Sequence, residues 1–288
     1  MLHQFADRKL AARLERAVAR DLAAFAETCM RLDPALHAAR TEFAGGLALF
    51  LAPGSPVNMI YGAGFDGPVS AEDFDDIERF YAEHGTRAAI SLCPLADEPL
   101  VAQLGVRGWM VTDFENVLVR ELDGAEAPRE PLLPAPAPGV DVRVAHTPGE
   151  LASWAAVSSA AFSAPQPASA ESVRMGLGVA AGEDVTLLMG RLDGADAGTG
   201  ALQMRGDGLG WLMSDATLPA YRGRGVQSAL LAERLRLAAE AGCELAVAEA
   251  HPGSTSQRNM ERLGFRVVYT RVELIAPPRN SARKGALK

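Results

Sequence analysis

Residues 218–228, Leu218-Pro219-Ala220-Tyr221-Arg222-Gly223-Arg224-Gly225-Val226-Gln227-Ser228, form a glycine-rich turn between two segments of different periodicity. Residues 209–218 before it have the pattern of a strand. Residues 225–241 after it repeat apolar side chains at helical spacing and stop at Gly242, a residue suited to a helix C-terminus. The first turn of a helix exposes N–H groups with no intrahelical partner and carries partial positive charge, so it attracts anions. Gly223 and Gly225 let the backbone approach a phosphate closely, and Arg222 and Arg224 add positive charge in a chain whose formal net charge is −8. The arrangement suits a pyrophosphate. Other phosphate loops do not match: there is no G-x-x-x-x-G-K-[ST], no G-x-G-x-x-G, and no acidic ribose ligand after a second strand.

Composition narrows the classes around this turn. A length of 288 residues suggests about two domains. Hydrophobic residues at 48% and charged residues at 22% exclude a fully disordered chain. Cys29, Cys93 and Cys243 are odd in number, far apart and free of C-x-x-C spacing, so neither a disulfide scaffold nor a zinc ribbon is expected, and no metal site. The acidic balance argues against a nucleic-acid partner, whose phosphates call for a basic surface. The N-terminal stretch MLHQFADRKLAARLERAVAR is charged and amphipathic, unlike a signal peptide, and no run of about 18 apolar residues suggests a membrane span. A cytoplasmic location with reduced thiols is the expectation, with no membrane partner. No serine–histidine–acid order supports a hydrolase, and Trp109, Trp154 and Trp211 read as core.

Residues 123–139, DGAEAPREPLLPAPAPG, carry Pro128, Pro131, Pro134, Pro136 and Pro138 and read as a semi-rigid linker. The chain is therefore divided into a domain at 1–122, the linker, a domain at 140–276 and a basic frayed tail at 277–288. Before the linker, 5–31 reads as helix, 42–52 and 56–62 as strands, 70–84 as a helix capped by Ser70 with Asp73 three residues on, 87–92 as a strand, 97–106 as a short helix and 109–120 as a strand. After it, 140–145 is a strand, 148–163 and 169–180 are helices, and 185–192 with 198–205 form a hairpin around Asp193-Gly194. Residues 245–250 and 265–275 are strands separated by a helix at 254–263. Gly108-Trp109 and Gly264-Phe265 lie 156 residues apart, and the same shift lays the 226–241 helix on 70–85, which points to a duplication. The fold class is mixed α/β (α+β).

The stretch Arg222-Gly223-Arg224-Gly225-Val226-Gln227 resembles motif A, [Q/R]-x-x-G-x-[G/A], of the GNAT superfamily, the Gcn5-related N-acetyltransferases. Pro219 upstream and Ala229-Leu230-Leu231 downstream match as well. Residues 253–265, GSTSQRNMERLGF, resemble the family's motif B, and the 39 residues from Gly225 to Gly264 fit helix, strand, helix. The resemblance covers 140–276 and implies two GNAT-like domains, each a mixed, largely antiparallel sheet flanked by helices. The first is a degenerate companion in which Asp66 stands where Arg222 stands in the second.

What the resemblance implies is an acyltransferase that moves an acetyl group from acetyl-coenzyme A to a primary amine of a small molecule or amino acid. Backbone N–H groups of Gly223, Arg224, Gly225, Val226, Gln227 and Ser228, with Arg222 beside them, would hold the pyrophosphate. Ala216, Thr217 and Leu218 would pair with the pantetheine arm, and Ser256 and Asn259 are further candidate cofactor contacts. Two positions depart from the family. Gln227 replaces a Gly or Ala and would crowd a phosphate or donate to it. Met260 replaces a frequent Tyr and has no proton to give a leaving thiolate. Asp215, Glu249 and His251 are the candidate bases for removing the ammonium proton of an amine. The rival is a non-catalytic sensor that binds coenzyme A or an acyl-coenzyme A as a signal. Tandem domains are compatible with a monomer or a homodimer.

Overall fold

The computed structural model describes residues 6–122 and 135–278; Pro128, Pro131 and Pro134 of the linker and the tail from Arg279 lie outside the described residues. The first half runs α1 (Arg8–Leu32), β1 (Ala39–Phe43), β2 (Gly46–Phe50), β3 (Ile60–Tyr61), α2 (Ala71–Glu83), β4 (Ala89–Leu92), α3 (Glu98–Val106) and β5 (Met110–Glu121). The second runs β6 (Val140–Val144), α4 (Pro148–Ser163), α5 (Ala170–Ala180), β7 (Val185–Leu192), β8 (Ala195–Met204), β9 (Leu209–Thr217), a 3₁₀ turn (Pro219–Tyr221), α6 (Val226–Glu240), β10 (Leu245–Ala250), α7 (Thr255–Arg262) and β11 (Arg266–Ile275). Mixed α/β architecture is what the sequence patterns led one to expect, and mostly antiparallel strands are what the resemblance implied.

Among the described residues two compact units emerge: 6–23, 36–114 and 270–278 form one, and 24–35 with 115–122 and 135–269 the other. A cut at the linker into 1–122 and 140–276 is therefore too simple. Strand pairing, not chain order, groups the closing strands. Asn116–Glu121 pair with β10 in the C-terminal unit, while Val272–Ile275 pair with β4 in the N-terminal unit.

In the N-terminal unit the strand order is β1-β2-β3-β4-β11, antiparallel except for β3 with β4. The single strand expected over 42–52 is instead a hairpin turning at Ala44-Gly45, both at positive φ (53° and 74°). The sequence carries no Asn-Gly or Asp-Gly signal there. Of the strand expected at 56–62, only Ile60–Tyr61 is in the sheet. Helix α2 begins as expected at Ser70, whose hydroxyl accepts from the Asp73 N–H (3.1 Å) while the Asp73 carboxylate accepts from the Ser70 N–H (2.8 Å). Its buried Phe74, Ile77 and Tyr81 pack with Phe43, Ile60, Ile90, Leu92 and Trp109.

In the C-terminal unit the order is β5-β10-β9-β8-β7-β6, with β9 and β10 parallel and their other neighbours antiparallel. Helix α6 covers one face through Val226, Leu230 and Ala238, against Leu188, Leu202, Leu212, Ala246 and Ala248. On the other face α4 places Trp154 against Leu187, Met189 and Ala201. Helix α4 starts at Thr147 in a capping box with Glu150, whose carboxyl is held down to about 2 by the N–H groups of Thr147 and His146. A shift of 156 residues carries α6, β10, α7 and β11 onto α2, β4, α3 and β5 within a residue or two at most boundaries, so the duplication read from two Gly-aromatic pairs extends to the order of elements.

Trp154 is completely buried, and its indole N–H donates to Leu188 O (3.0 Å) and Gly200 O (3.3 Å). Trp154→Phe removes the donor and leaves buried carbonyls short of a partner, which costs about 1–3 kcal/mol. Urea unfolding followed by circular dichroism should show that loss as a lower midpoint with an unchanged slope.

Candidate functional site

The C-terminal unit opens a gap in its own sheet. Parallel pairing of β9 with β10 runs from Leu209/Leu245 to Leu212/Ala248 and stops, although β10 continues to pair with β5 through Glu249 and Ala250. At that point β9 bulges. Thr199 faces Ala216 and Ala201 faces Met213, so Ser214 and Asp215 together oppose Gly200 alone, and Ser214 sits at φ 55°. A bulge adds a residue to one strand and bends it. Beyond the bulge the Leu218 N–H donates to Ala197 O (2.9 Å). By strand alternation the N–H of Thr217 is then directed away from β8, toward the gap. Ala216, Thr217 and Leu218, expected as partners for an amide-bearing arm, line this edge.

The gap ends at the N-terminus of α6. Gly225 is the N-cap at φ 85°, it makes no side-chain cap bond, and no acidic residue follows in the first turn. A Cβ at Gly225 would also stand 2.8 Å from the Ala137 Cβ, so glycine is required there twice over. The contrast with α2 is instructive, because there Ser70, Glu72 and Asp73 already supply oxygen and negative charge to the helix start. At α6 no side-chain cap serves the N–H groups of Val226, Gln227 and Ser228, and such groups attract anions. Arg222 is fixed by its Nε–H to Thr217 O (3.0 Å), and Arg224 pairs with Asp193 (3.1 Å), which keeps both cations beside the turn. The turn thus passes the physical test for a pyrophosphate: a left-handed glycine cradle, unserved helix donors and local positive charge.

The candidate residues do not all converge on the gap. The Gln227 side chain neither blocks the turn nor aims at it: its amide N–H donates to Ser256 Oγ (3.2 Å) and its oxygen accepts from the Asn259 amide (2.7 Å). Ser256 and Asn259 therefore serve first to tie α7 to α6. Met260 is 1% exposed and packs in the core with Ala250, Leu263 and Phe265, so its side chain is a core element. Asp215 is engaged by a cation: the Arg234 guanidinium bonds both carboxylate oxygens, with Arg234 fully buried. Both oxygens of that carboxylate are thus committed to the guanidinium. Glu249 lies one residue past the last β9–β10 pair. Ala246, Ala248 and Ala250 face α6, so alternation sends Glu249 to the opposite face, the side of Met213 and α4. His251 is exposed in the turn before α7. Arg234, Gly200 and Ser214 were not singled out from the sequence. A signal for Arg234 existed: Leu230, Arg234 and Ala238 fall on one helix face, which makes a charge at a core position.

Residues 153–265 match the family model described as Acetyltransferase (GNAT) family. Those residues form a GNAT domain. The family so matched is one of acyltransferases. Among solved structures it is similar to a GCN5-related N-acetyltransferase from Kribbella flavida, at 19% identity and TM-score 0.62 over 90% of this chain and 95% of that one. It is also similar to a tandem GNAT protein from the clavulanic acid biosynthesis pathway, at 17% identity and TM-score 0.55 over 79% of this chain and 73% of that one. At these identities the likeness is one of fold. No curated protein matches the sequence.

The N-terminal unit closes what the GNAT domain leaves open. Past the single parallel pair Ile60/Ile90, the Asp97 N–H donates to Gly64 O (2.8 Å). Arg8 adds bonds to Leu95 O (2.9 Å) and Asp97 Oδ1 (2.7 Å). Asp66, the counterpart of Arg222, is occupied by Arg16 (2.5 Å). Among the described residues no group of three or more His, Cys, Asp or Glu could hold a metal ion, and no helix is long and apolar enough to cross a membrane.

All three thiols are buried, and burial pushes Cys29 up to about 11 and Cys93 up to about 12, with Cys243 raised as well. The thiolate is the reactive form. The native protein at pH 8 should therefore leave Ellman's reagent nearly uncoloured, and denaturant should release three thiols per chain. Rapid labelling of any one in the native state would contradict this burial.

Proposed function

We propose that the GNAT domain transfers the acetyl group of acetyl-coenzyme A to the primary amine of a small molecule or amino acid. The observation that carries the reading is the meeting of a strand-pair stop with an uncapped helix N-terminus. The arm of the cofactor fits the edge of β9, and its pyrophosphate fits the Gly223–Ser228 donors. When bound, acetyl-coenzyme A supplies an activated acyl group as a thioester.

The chain's own residues would do the rest. Donors on the β9 edge orient the acyl carbonyl and stabilise negative charge on its oxygen. Glu249, at the point where the strands part and on the face away from α6 and α7, is the base we favour for the ammonium proton of the acceptor. His251, exposed after the strand, is the next candidate. Asp215 is reserved for Arg234. The stitched strands of the N-terminal unit support one cofactor site per chain.

A second reading has one observation in its favour: Met260 offers the departing thiolate no proton. Under that reading the domain binds coenzyme A or an acyl-coenzyme A as a signal. The two readings differ in release of free thiol with an amine acceptor.

Calorimetric titration of acetyl-coenzyme A should show one site per chain. Ser228→Glu should weaken it at least about 10-fold, because a carboxylate in the first turn competes for the same donors and repels the phosphates. Glutamate there suits the helix start, so folding should be unharmed. Two sites per chain, or no binding, would overturn the reading.

A panel of amines with thiol detection then tests turnover. With any accepted amine, Glu249→Gln should lower kcat by about 100-fold or more near neutral pH, with little change in acetyl-coenzyme A affinity, as loss of a general base does. Tight binding without thiol release across the panel would favour the sensor.

A further inference from the structure

The most unusual buried group of the GNAT domain is Arg234. Its side chain is 0% exposed, and it projects from the core face of α6 onto the sheet at the bulge. Its Nε–H donates to Leu230 O (3.1 Å), one turn back on its own helix. Nη1 donates to Ala201 O (3.3 Å), Met213 O (3.2 Å) and Asp215 Oδ2 (2.9 Å), and Nη2 bonds Asp215 Oδ1. Gly200 makes the room: a Cβ there would lie 2.8 Å from Arg234 Cζ.

These bonds converge on the bulge. Met213 O and Asp215 flank Ser214, the residue at φ 55°, and Ala201 O and Gly200 lie across from it on β8. An inserted residue interrupts the regular ladder at this point of the sheet. Arg234 donates to Ala201 O and Met213 O beside the bulge from the α6 side, and Trp154 donates to Gly200 O from the other. The Thr199 hydroxyl also reaches Ser214 O (3.4 Å). The bulge in turn sets the direction of Asp215, Ala216 and Thr217, the strand edge that borders the gap.

We infer that Arg234 is a positioning residue for the reaction: with Asp215 it locks the β9 bulge and so aims the Ala216–Leu218 edge at the pantetheine arm and thioester. This rests on the acetyl-coenzyme A reading above. Arg234 touches no substrate. Its effect passes through backbone that lies on the β9 side of the gap, while the pyrophosphate turn lies at the other end of the same site.

That separation supplies the test. Two variants are compared with wild type: Arg234→Lys, which keeps the charge and loses the forked geometry, and Arg234→Met with Asp215→Asn, which removes both charges together so that neither is stranded in the core. Affinity is measured for coenzyme A and for its nucleotide portion alone, adenosine 3′-phosphate 5′-diphosphate, by ligand-observed NMR and calorimetry. Coenzyme A should bind about 10-fold or more weakly in the variants, and the nucleotide portion within about 2-fold of wild type. Amide exchange at Ser214–Thr217 should quicken without ligand, while exchange along α6 stays near wild type. Equal weakening of both ligands, or faster exchange throughout α6, would make Arg234 only a support of the helix and overturn the inference. Unchanged coenzyme A affinity in a folded variant would also overturn it. If wild type bound neither ligand, the acetyl-coenzyme A reading would fall first and the positioning role with it.

Discussion

Parallel pairing of β9 with β10 ends at Leu212 and Ala248, and whatever the C-terminal unit does with a ligand depends on that ending. A continuous ladder would bury every donor and acceptor of both strands in sheet bonds. The interruption frees the far edge of β9 beside the mouth of α6, where helix donors are also unserved. A strand edge outside the β9–β10 ladder and a helix start without a side-chain cap are thereby brought to one place. The same connection in the N-terminal unit is stitched by the Asp97 N–H and by Arg8, so a shared order of elements does not produce a shared site.

Most of this order could be read from the chain. Helices α2, α4 and α6 were legible from a cap, a glycine turn or sustained apolar spacing, α7 through its resemblance to motif B although Met260 is its one apolar residue, and β7 to β8 because Asp193-Gly194 marks their hairpin. The turn at Gly223–Gly225 was legible because two glycines and two arginines before a helix have few other uses. The hairpin at Ala44-Gly45 was not, since alanine at positive φ is an uncommon choice that carries no sequence mark. The grouping of β5 and β11 was also hidden: a proline-rich linker shows where the chain is extended, but pairing partners decide which core a strand completes.

At the site, sequence reasoning singled out the glycine turn, and the structure gives several of its neighbours partners that the sequence does not show. Gln227 looked like an obstruction because its size was considered along one helix. The amide in fact spends both its donor and its acceptor on α7, through Ser256 and Asn259. Asp215 looked available as a base because its partner sits 19 residues later on another element. Met260 was judged by the proton it lacks, and its place in the core explains why an apolar side chain suits that position.

Burial of Arg234 and Asp215 is not explained by stability in general. Taking two charges out of water is costly, and apolar side chains of similar volume often stabilise a core as well or better. An apolar residue at 234 could fill the space over Gly200, but it could not donate to Ala201 O and Met213 O. Both oxygens lie beside the β9 bulge, at the point where pairing with β10 has ended. Water could serve them only if the sheet were open at its centre, against the packing of Trp154 on one side and α6 on the other. A guanidinium, with five donors in a rigid fork, is the side chain that satisfies several oxygens from one direction. Asp215 then neutralises it, which is the reason a carboxylate next to a potential acyl site is better understood as the counter-ion of a structural cation than as a base.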